Sequence, residues 1–433
     1  MFRKRLQLGL IHVAVAITLV PINSTLNRVL IKEMAVSATL VAILAILPYL
    51  FSPIQVWIGS FSDRHPIFGY RRTPYILLGL LLCVLGVAVS PQVAFLLDQD
   101  RLLGTLVGIL VFGAWGMGYN FSAVCYLSLA SEISGEKGRG RTIAVMFVMM
   151  IIGIILTALT VSQLVDPYTP AALQNAFLVV ALAALVLGLF GMLKLEEKVT
   201  LEALPSTENY SWGQMFGAIL QNRQATFFFW YLVILLAAIL GQDILLEPFG
   251  AEAFEMSVKT TTRITSIWGA CNLLTLVLAG ILEGRVQKKT VARWGGWLTL
   301  FGFVLILSSG LMRNTSVFYS GVILLGSGTG LATVSNLSLM LDMTTPANVG
   351  LYIGAWGMAN ALSRLIGTLL SGVVRDLVTQ ISQSPLSGYL TVFGIEAFFI
   401  AVSLVMLGKI SVEQFRKASV VSVVERAALA SDL

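Results

Sequence analysis

The sequence predicts an all-α polytopic membrane protein in which twelve transmembrane helices form two six-helix bundles. The first observation is composition, because 57% of the 433 residues are hydrophobic and only 12% are charged, whereas soluble domains carry about 25% charged residues. The second is a series of apolar runs that reach the roughly 20 residues needed to cross a bilayer. The third is a similar pattern of residues at equivalent places in the two halves of the chain.

The apolar runs predict the positions of the spans to within a few residues. The first run is too long and too polar for a cleaved signal peptide, so we expect it to remain as a helix. The predicted spans are 8–31, 38–61, 74–97, 102–129, 142–165, 174–194, 224–246, 262–282, 291–312, 317–341, 351–374 and 389–408.

The distribution of lysine and arginine predicts the orientation. If Met1 is cytoplasmic, the cytoplasmic segments hold 20 basic residues and the opposite face holds six, with Arg28 and Arg364 inside spans. This asymmetry follows the positive-inside rule and predicts that both termini are cytoplasmic. The net charge of +6 therefore reflects topology and contact with anionic membrane lipid, and no nucleic-acid partner is expected.

The chain divides at one long interior stretch of mixed polarity. We predict an N-terminal bundle at 1–194, a cytoplasmic linker at 195–223, a C-terminal bundle at 224–409 and a cytoplasmic tail at 410–433. The segment from Leu127 to Glu132 matches that from Leu337 to Asp342 at an offset of 210. Its position at the ends of spans four and ten indicates a duplicated six-helix unit, with a central site between the halves.

A polar loop separates the second and third spans and predicts a gate at the cytoplasmic side. An aspartate at a helix end can accept hydrogen bonds from the N-terminal N–H groups of a facing helix, while arginines pair with carboxylates and lipid head groups. The pattern resembles the signature loop of the major facilitator superfamily. The predicted gating residues are Gly59, Asp63, Arg64, Gly69, Arg71 and Arg72, with Glu132, Arg141 and Asp342 at other cytoplasmic helix ends.

Further motifs resemble one branch of that superfamily, the PucC/LhaA or bacteriochlorophyll-delivery family. They are the first-span string from Pro21 to Glu33, the loop continuation from Gly69 to Ile76, Ala130-x-Glu132, and Met146-x-x-Met149. The resemblance covers most of the chain and is strongest in its first half.

The resemblance implies a membrane assembly factor or carrier that delivers chlorophyll or bacteriochlorophyll, as cargo, to nascent light-harvesting or other chlorophyll-binding proteins. It also implies antenna proteins and pigment-synthesis enzymes as partners. The implied location is a photosynthetic membrane, thylakoid or intracytoplasmic, or a bacterial inner membrane. The family brings no agreed catalytic residue.

Polar residues in the first span form one candidate binding patch. A charged side chain inside the bilayer costs a few kcal/mol, so it usually has an interaction partner or a functional role. Asn23 and Asn27 share a helix face, and Arg28 lies about 100° away. Either this patch binds a pigment carbonyl or a carboxylate across the cavity, or Arg28 has a purely structural role. In the second case, its side chain extends to the outer membrane interface or forms a structural ion pair. We expect the ion-pair partner of Arg28 to be Asp243 or Glu247, at the outer end of the seventh span.

Other polar residues lie within later spans. Arg364, with Asn360 one turn before it, and Asn120 are on helices that face the cavity in this fold, although interhelical hydrogen bonding also explains the asparagines. Glu396 is in the last span, which is peripheral in this fold. The carboxyl of Glu396 would therefore face lipid unless another protein or helix covers it, and we predict that it is a docking point for a membrane partner.

The sequence lacks the patterns of common catalytic sites. It has no Gly-x-x-x-x-Gly-Lys phosphate loop, no Ser/His/Asp arrangement and no metal-ligand spacing, so we expect a protein that is not an enzyme. Two alternatives to pigment delivery stay open. One is a proton-coupled secondary transporter of a small amphipathic solute, and the other is a non-transporting scaffold for pigment–protein assembly.

Overall fold

The structure is a computed structural model. It describes residues 2–51, 54, 58, 61–62, 65–198, 223–282, 285–342 and 349–411, of which 136–137, 139–140, 341–342 and 349–355 are described by backbone alone. The predicted linker and tail therefore lie almost wholly outside the described residues.

The N-terminal half contains helices α1 to α6. Helix α1 changes from α-helical to π-helical geometry at Pro21–Leu26 and Val29–Glu33. Helices α4 and α5 continue as Arg101–Leu164, with a kink at Gly135, whose φ of 62° suits glycine. The bounds are α1 Phe2–Glu33, α2 Ala38–Leu50, α3 Thr73–Gln99, α4 Arg101–Gly135, α5 Arg141–Leu164 and α6 Pro170–Met192.

The C-terminal half contains helices α7 to α12. Helix α7 narrows to a 3₁₀ turn at Gln242–Ile244, and the short helix Leu246–Phe254 continues from it. The bounds are α7 Arg223–Ile244, α8 Val258–Leu282, α9 Lys288–Met312, α10 Thr315–Asp342, α11 Val349–Ser382 and α12 Pro385–Lys409.

Side-chain caps mark where several helices begin. Ser37 accepts a hydrogen bond from the backbone of Leu40 at the start of α2, and Asp100 accepts bonds from Leu102 and Leu103 at the start of α4. Such caps satisfy backbone N–H groups that have no partner within the helix. Prolines in the first turn of α3, α6 and α12 fit because no N–H is needed there.

The prediction of an all-α membrane fold is confirmed, and the number of helices in the described residues is close to the twelve predicted spans. Within the described residues, ten helices are long and apolar enough to cross a membrane. Helices α2 and α11 complete the set. Much of the second half of the predicted span 38–61 lies outside the described residues, so α2 is seen as a short apolar helix, while α11 extends over 34 residues. The chain is therefore an integral, multi-pass membrane protein.

The helices pack as two groups that meet along two seams. Within the N-terminal half, α1 packs on α6 and α3 packs on α4 and α6, while in the C-terminal half α7 packs on α11 and α12, and α9 packs on α10 and α12. The seams between the halves are α2 against α11 and α5 against α8. At the first seam a Cβ on Gly372 would lie 2.7 Å from the carbonyl oxygen of Ala38. We call the side of Phe2 the inner end and the opposite side the outer end.

Candidate functional site

A carboxylate joins the two halves at the outer end. The side chain of Glu247, in the short helix after α7, accepts hydrogen bonds from Ser24 of α1 and, at 2.6 Å, from Thr265 of α8. The hydroxyls of Thr25 and Thr262 lie 3.2 Å apart nearby. All but Thr265 are buried. This buried cluster holds α1 against the C-terminal half.

Arg28 lies beside that cluster and has a local partner. Its side chain is 5% exposed, forms an ion pair with Glu33 and donates a 3.2 Å hydrogen bond to the backbone oxygen of Met256. The expectation that Arg28 pairs with Asp243 or Glu247 is therefore wrong. The reason is the π-helical winding of α1, which brings residues five apart onto one face, so that Glu33 meets Arg28.

The two asparagines of the predicted patch are engaged differently. The side-chain nitrogen of Asn27 donates a 2.8 Å hydrogen bond to the backbone oxygen of Asn23. Asn27 is buried and Asn23 is half-buried. A binding role for the Asn23, Asn27 and Arg28 patch stays a prediction.

Further polar contacts cross between the halves at the outer end. Lys32 pairs with Glu252 at 2.6 Å, and Lys259 pairs with Asp166 at 2.7 Å. On the other seam, Asp376 of α11 accepts hydrogen bonds from the backbone N–H groups that begin α2. These contacts, together with the buried cluster at Glu247, close the outer end.

A second charged pair lies deeper, between the two halves. The guanidinium of Arg364 on α11 donates a 2.9 Å hydrogen bond to Asp243 at the 3₁₀ turn of α7. The same guanidinium lies 4.9 Å above the ring of Tyr49 on α2, which belongs to the other half. Gln242 also donates to Asp243, at 2.8 Å. The structure thus pairs Arg364 with Asp243, two residues of the predicted binding set whose mutual contact the sequence did not predict.

The exposure of this pair distinguishes it from a packing contact. The side chain of Arg364 is 23% exposed and that of Asp243 is 26% exposed, although both lie on helices inside the bundle. We expect the accessible part of this pair to face an internal space between the two halves, with the ring of Tyr49 beside it. It can offer hydrogen bonds to a bound molecule.

The remaining asparagines of the predicted site bond to backbone oxygens. The amide nitrogen of Asn120 on α4 lies 2.8 Å from the carbonyl oxygens of both Pro48 and Gly116. The amide of Asn360 donates to the carbonyl oxygen of Trp356 at 2.9 Å. Asn120 is buried and fastens α4 to α2, while Asn360 is half-buried. Their contribution to binding stays a prediction.

Glu396 does not face lipid, so the predicted docking role on the membrane surface is wrong. Its side chain is 2% exposed and accepts a 3.1 Å hydrogen bond from Ser371 of α11. The physical reason is a small residue on the facing helix. A Cβ on Gly241 of α7 would lie 2.8 Å from Glu396 Oε1, so glycine makes room for the carboxyl group between α7, α11 and α12.

At the inner end, part of the predicted gating motif forms one network. Arg72 lies 2.9 Å from Glu132, and Arg71 lies 3.3 Å from the same carboxylate. Gly69 has a φ of 81° in the tight turn before them. Arg141 is exposed. Gly59, Asp63 and Arg64 lie outside the described residues, as does the side chain of Asp342. The predicted latch of Asp63 therefore also lies outside the described residues and stays a prediction.

Sequence reasoning missed Glu196, which organises the same network. Its carboxylate accepts hydrogen bonds from the backbone N–H groups of Arg71, Arg72 and Thr73 and from the Thr73 hydroxyl, at 2.6 to 3.2 Å. It thereby caps α3 from the segment that follows α6. The sequence offers only a weak signal for this role, namely a carboxylate in the segment after α6. Its partner, the N-terminus of α3 with its free N–H groups, is distant in the sequence.

Metal binding has no support in the described part of the chain, where no three His, Cys, Asp or Glu residues are grouped to hold an ion. The described contacts instead place one charged pair, Arg364 and Asp243, between the two helix bundles, which are joined by polar contacts at the outer end.

Comparison with known protein sequences identifies the family of the chain. The family model described as PUCC protein matches residues 25–415. Protein PucC of Rhodobacter capsulatus is 31% identical over 92% of this chain and 90% of its own length. Protein PucC of Cereibacter sphaeroides is 30% identical over 94% and 91%. A relative named as the 44.5 kDa chain of bacteriochlorophyll synthase, also from Rhodobacter capsulatus, is 23% identical over 92% and 93%.

Solved structures show the same fold at low sequence identity. A variant of the nucleoside transporter NupG superposes with a TM-score of 0.73 at 16% identity, covering 94% of this chain and 99% of the transporter. A D-xylose–proton symporter gives a TM-score of 0.70 at 14% identity, covering 94% and 97%. These likenesses concern the fold alone. Because its family match extends over most of the sequence, the chain belongs to the PucC family.

Proposed function

We propose that this protein is a non-enzymatic membrane assembly factor that carries chlorophyll or bacteriochlorophyll and delivers it to nascent light-harvesting or other chlorophyll-binding proteins. The observation that carries the proposal is membership of the PucC family over residues 25–415. One relative is named as a chain of bacteriochlorophyll synthase, which connects a related protein with this class of pigment. The location that follows is a photosynthetic membrane.

The internal site suits an amphipathic pigment. A chlorophyll-type ring is flat and apolar, with a few carbonyl groups at its edge. Arg364 supplies hydrogen-bond donors at the edge of the internal space, and Tyr49 supplies an aromatic face beside it. A mostly apolar pocket with one fixed polar point is the usual design of a site that orients such a ligand.

Closure at the outer end favours delivery over export. The contacts of Glu247, Lys32, Lys259 and Asp376 join the halves on that side. A cargo at Arg364 then exchanges through the inner end or sideways into the membrane. The receiving partners are antenna polypeptides in the same membrane, with pigment-synthesis enzymes as donors.

The test is to purify the tagged protein from its native membranes in mild detergent and to measure visible absorbance and co-purifying proteins. We expect a chlorophyll-type absorbance band that stays with the protein through size exclusion, at about one pigment per chain, and antenna proteins among the partners by mass spectrometry. The matched control is the same tag on an unrelated multi-pass protein from the same membranes, which reports pigment carried over by lipid.

Three results would contradict pigment carriage. A stable antenna or synthase partner without pigment would indicate a scaffold. Neither pigment nor partner would indicate transport of a small amphipathic solute. Pigment at the level of the control protein would mean that the band comes from co-purified membrane.

A further inference from the structure

The pair of Arg364 and Asp243 has donors left over. Only Nη1 of Arg364 bonds to Asp243. Within the described residues, its Nε–H and Nη2 groups have no protein acceptor. Neither nitrogen is among the fully buried polar atoms that lack a hydrogen-bond partner. Because a guanidinium carries five N–H donors in a fixed fork, one edge of Arg364 is presented to the internal space.

Arg364 lies well inside helix α11, away from both of its ends. Helix α11 begins at Val349, so Arg364 is about 22 Å along its axis at 1.5 Å per residue. The hydrocarbon core of a bilayer is about 30 Å thick. Donors at this depth are costly to leave without acceptors, so the edge is suited to a ligand that supplies acceptors.

Charge balance decides which acceptor fits. The positive charge of Arg364 is already matched by Asp243 at 2.9 Å. A ligand carboxylate would add an unmatched negative charge in the membrane interior, at a cost of a few kcal/mol. A ketone or ester carbonyl accepts the same hydrogen bonds without adding charge.

We infer that the free edge of Arg364 binds a carbonyl oxygen of a neutral, esterified pigment and that the Arg364–Asp243 pair discriminates against the free acid. This inference rests on the proposed function, because it specifies the form of pigment that the site accepts. The aromatic ring of Tyr49, 4.9 Å from the guanidinium, holds Arg364 in place by a cation–π contact.

The test compares two probes that differ by one methyl group. The purified protein in lipid nanodiscs is titrated with chlorophyllide a and with its methyl ester, and the dissociation constants are measured from pigment fluorescence. The two probes share the ring and its ketone, and neither has the long hydrocarbon tail. We expect the methyl ester to bind at least tenfold more tightly, since each factor of ten corresponds to about 1.4 kcal/mol.

Two variants separate charge from hydrogen bonding. In Asp243→Asn the charge of Arg364 is unmatched, so the preference should shift by at least tenfold toward the free acid. In the double variant Arg364→Gln with Asp243→Asn, which keeps the site neutral, both probes should lose affinity. Arg375→Gln is the control because Arg375 is on the same helix and also has an aspartate and a tyrosine ring beside it. It should leave both constants unchanged.

The outcomes distinguish this inference from the proposed function. Equal binding of both probes, or no change in Asp243→Asn, would overturn the inference while leaving pigment carriage intact. Binding of neither probe to the wild-type protein would overturn both. A uniform loss of binding in every variant, including Arg375→Gln, would attribute the effect to folding and would also contradict the specific role of Arg364.

Discussion

Asp376 of α11 accepts hydrogen bonds from the backbone N–H groups of Thr39 at 2.7 Å and Ala38 at 3.1 Å, at the first turn of α2. The Thr39 hydroxyl donates to the same carboxylate at 2.6 Å. A negative charge from one half thus caps a helix N-terminus of the other half, where the helix dipole favours it. This is the type of latch that the sequence predicts for Asp63 at the opposite end.

Asp376→Ala should therefore weaken closure at the outer end. The loss of three hydrogen bonds to a helix N-terminus corresponds to about 1–2 kcal/mol, which is roughly a five- to thirtyfold change in an opening equilibrium. The measurement is the rate at which a membrane-impermeant maleimide labels a cysteine introduced at Thr25, a buried position in the outer cluster.

Asp98→Asn is the control for this experiment, because Asp98 is exposed near the outer end of α3. It should leave the labelling rate unchanged. Equal rates in wild type and Asp376→Ala would show that Asp376 does not hold the outer end closed.

Adjacent glutamates after α6 should differ sharply in their effect on stability. Glu196→Ala removes the bonds that cap α3 and should cost about 1–3 kcal/mol, read as a lower Tm in detergent. Glu197 makes one ion pair with Lys4 and its side chain is 88% exposed, so Glu197→Ala should leave Tm unchanged. If the two substitutions lower Tm equally, Glu196 has no special role as a cap.

Two glycines on α11 provide a test of the packing between α7 and α11. A Cβ on Gly367 would lie 2.2 Å from the carbonyl oxygen of Ala237, so Gly367→Ala should force the helices apart and cost about 1–3 kcal/mol. Among the described residues, no atom outside the adjacent residues and the helix backbone lies within 4 Å of a Cβ on Gly357, and Gly357→Ala should be neutral or slightly stabilising. Thermal unfolding in detergent measures both variants, and equal Tm values would contradict this helix contact.

Much of the fold follows from the sequence because membrane spans are encoded locally. A run of about 20 apolar residues is visible in the chain and needs no knowledge of its neighbours. The contact of Arg71 and Arg72 with Glu132 joins residues that the sequence had already assigned to one gate. For the spans and for this contact, the pattern in the sequence was therefore enough to predict what the structure shows.

The candidate site was less predictable because its contacts join distant segments. Arg364 and Asp243 are 121 positions apart, and a linear pattern does not specify which faces of two helices meet. Glu396 was misjudged for the same reason, since the small residue that accommodates it, Gly241, is on another helix. The local pair of Arg28 and Glu33 was missed because α-helical geometry was assumed, although Pro21, which cannot donate a backbone hydrogen bond, pointed to irregular winding.

If the protein delivers pigment to an antenna polypeptide, as proposed, the transfer can be measured directly. The pigment-loaded protein in nanodiscs is mixed with pigment-free light-harvesting polypeptides, and the absorbance of the assembled antenna is followed over time. We predict that pigment leaves the carrier and that antenna complexes form faster than from the same amount of pigment in empty nanodiscs. The double variant Arg364→Gln with Asp243→Asn should lose this advantage. Assembly no faster than from empty nanodiscs would contradict delivery.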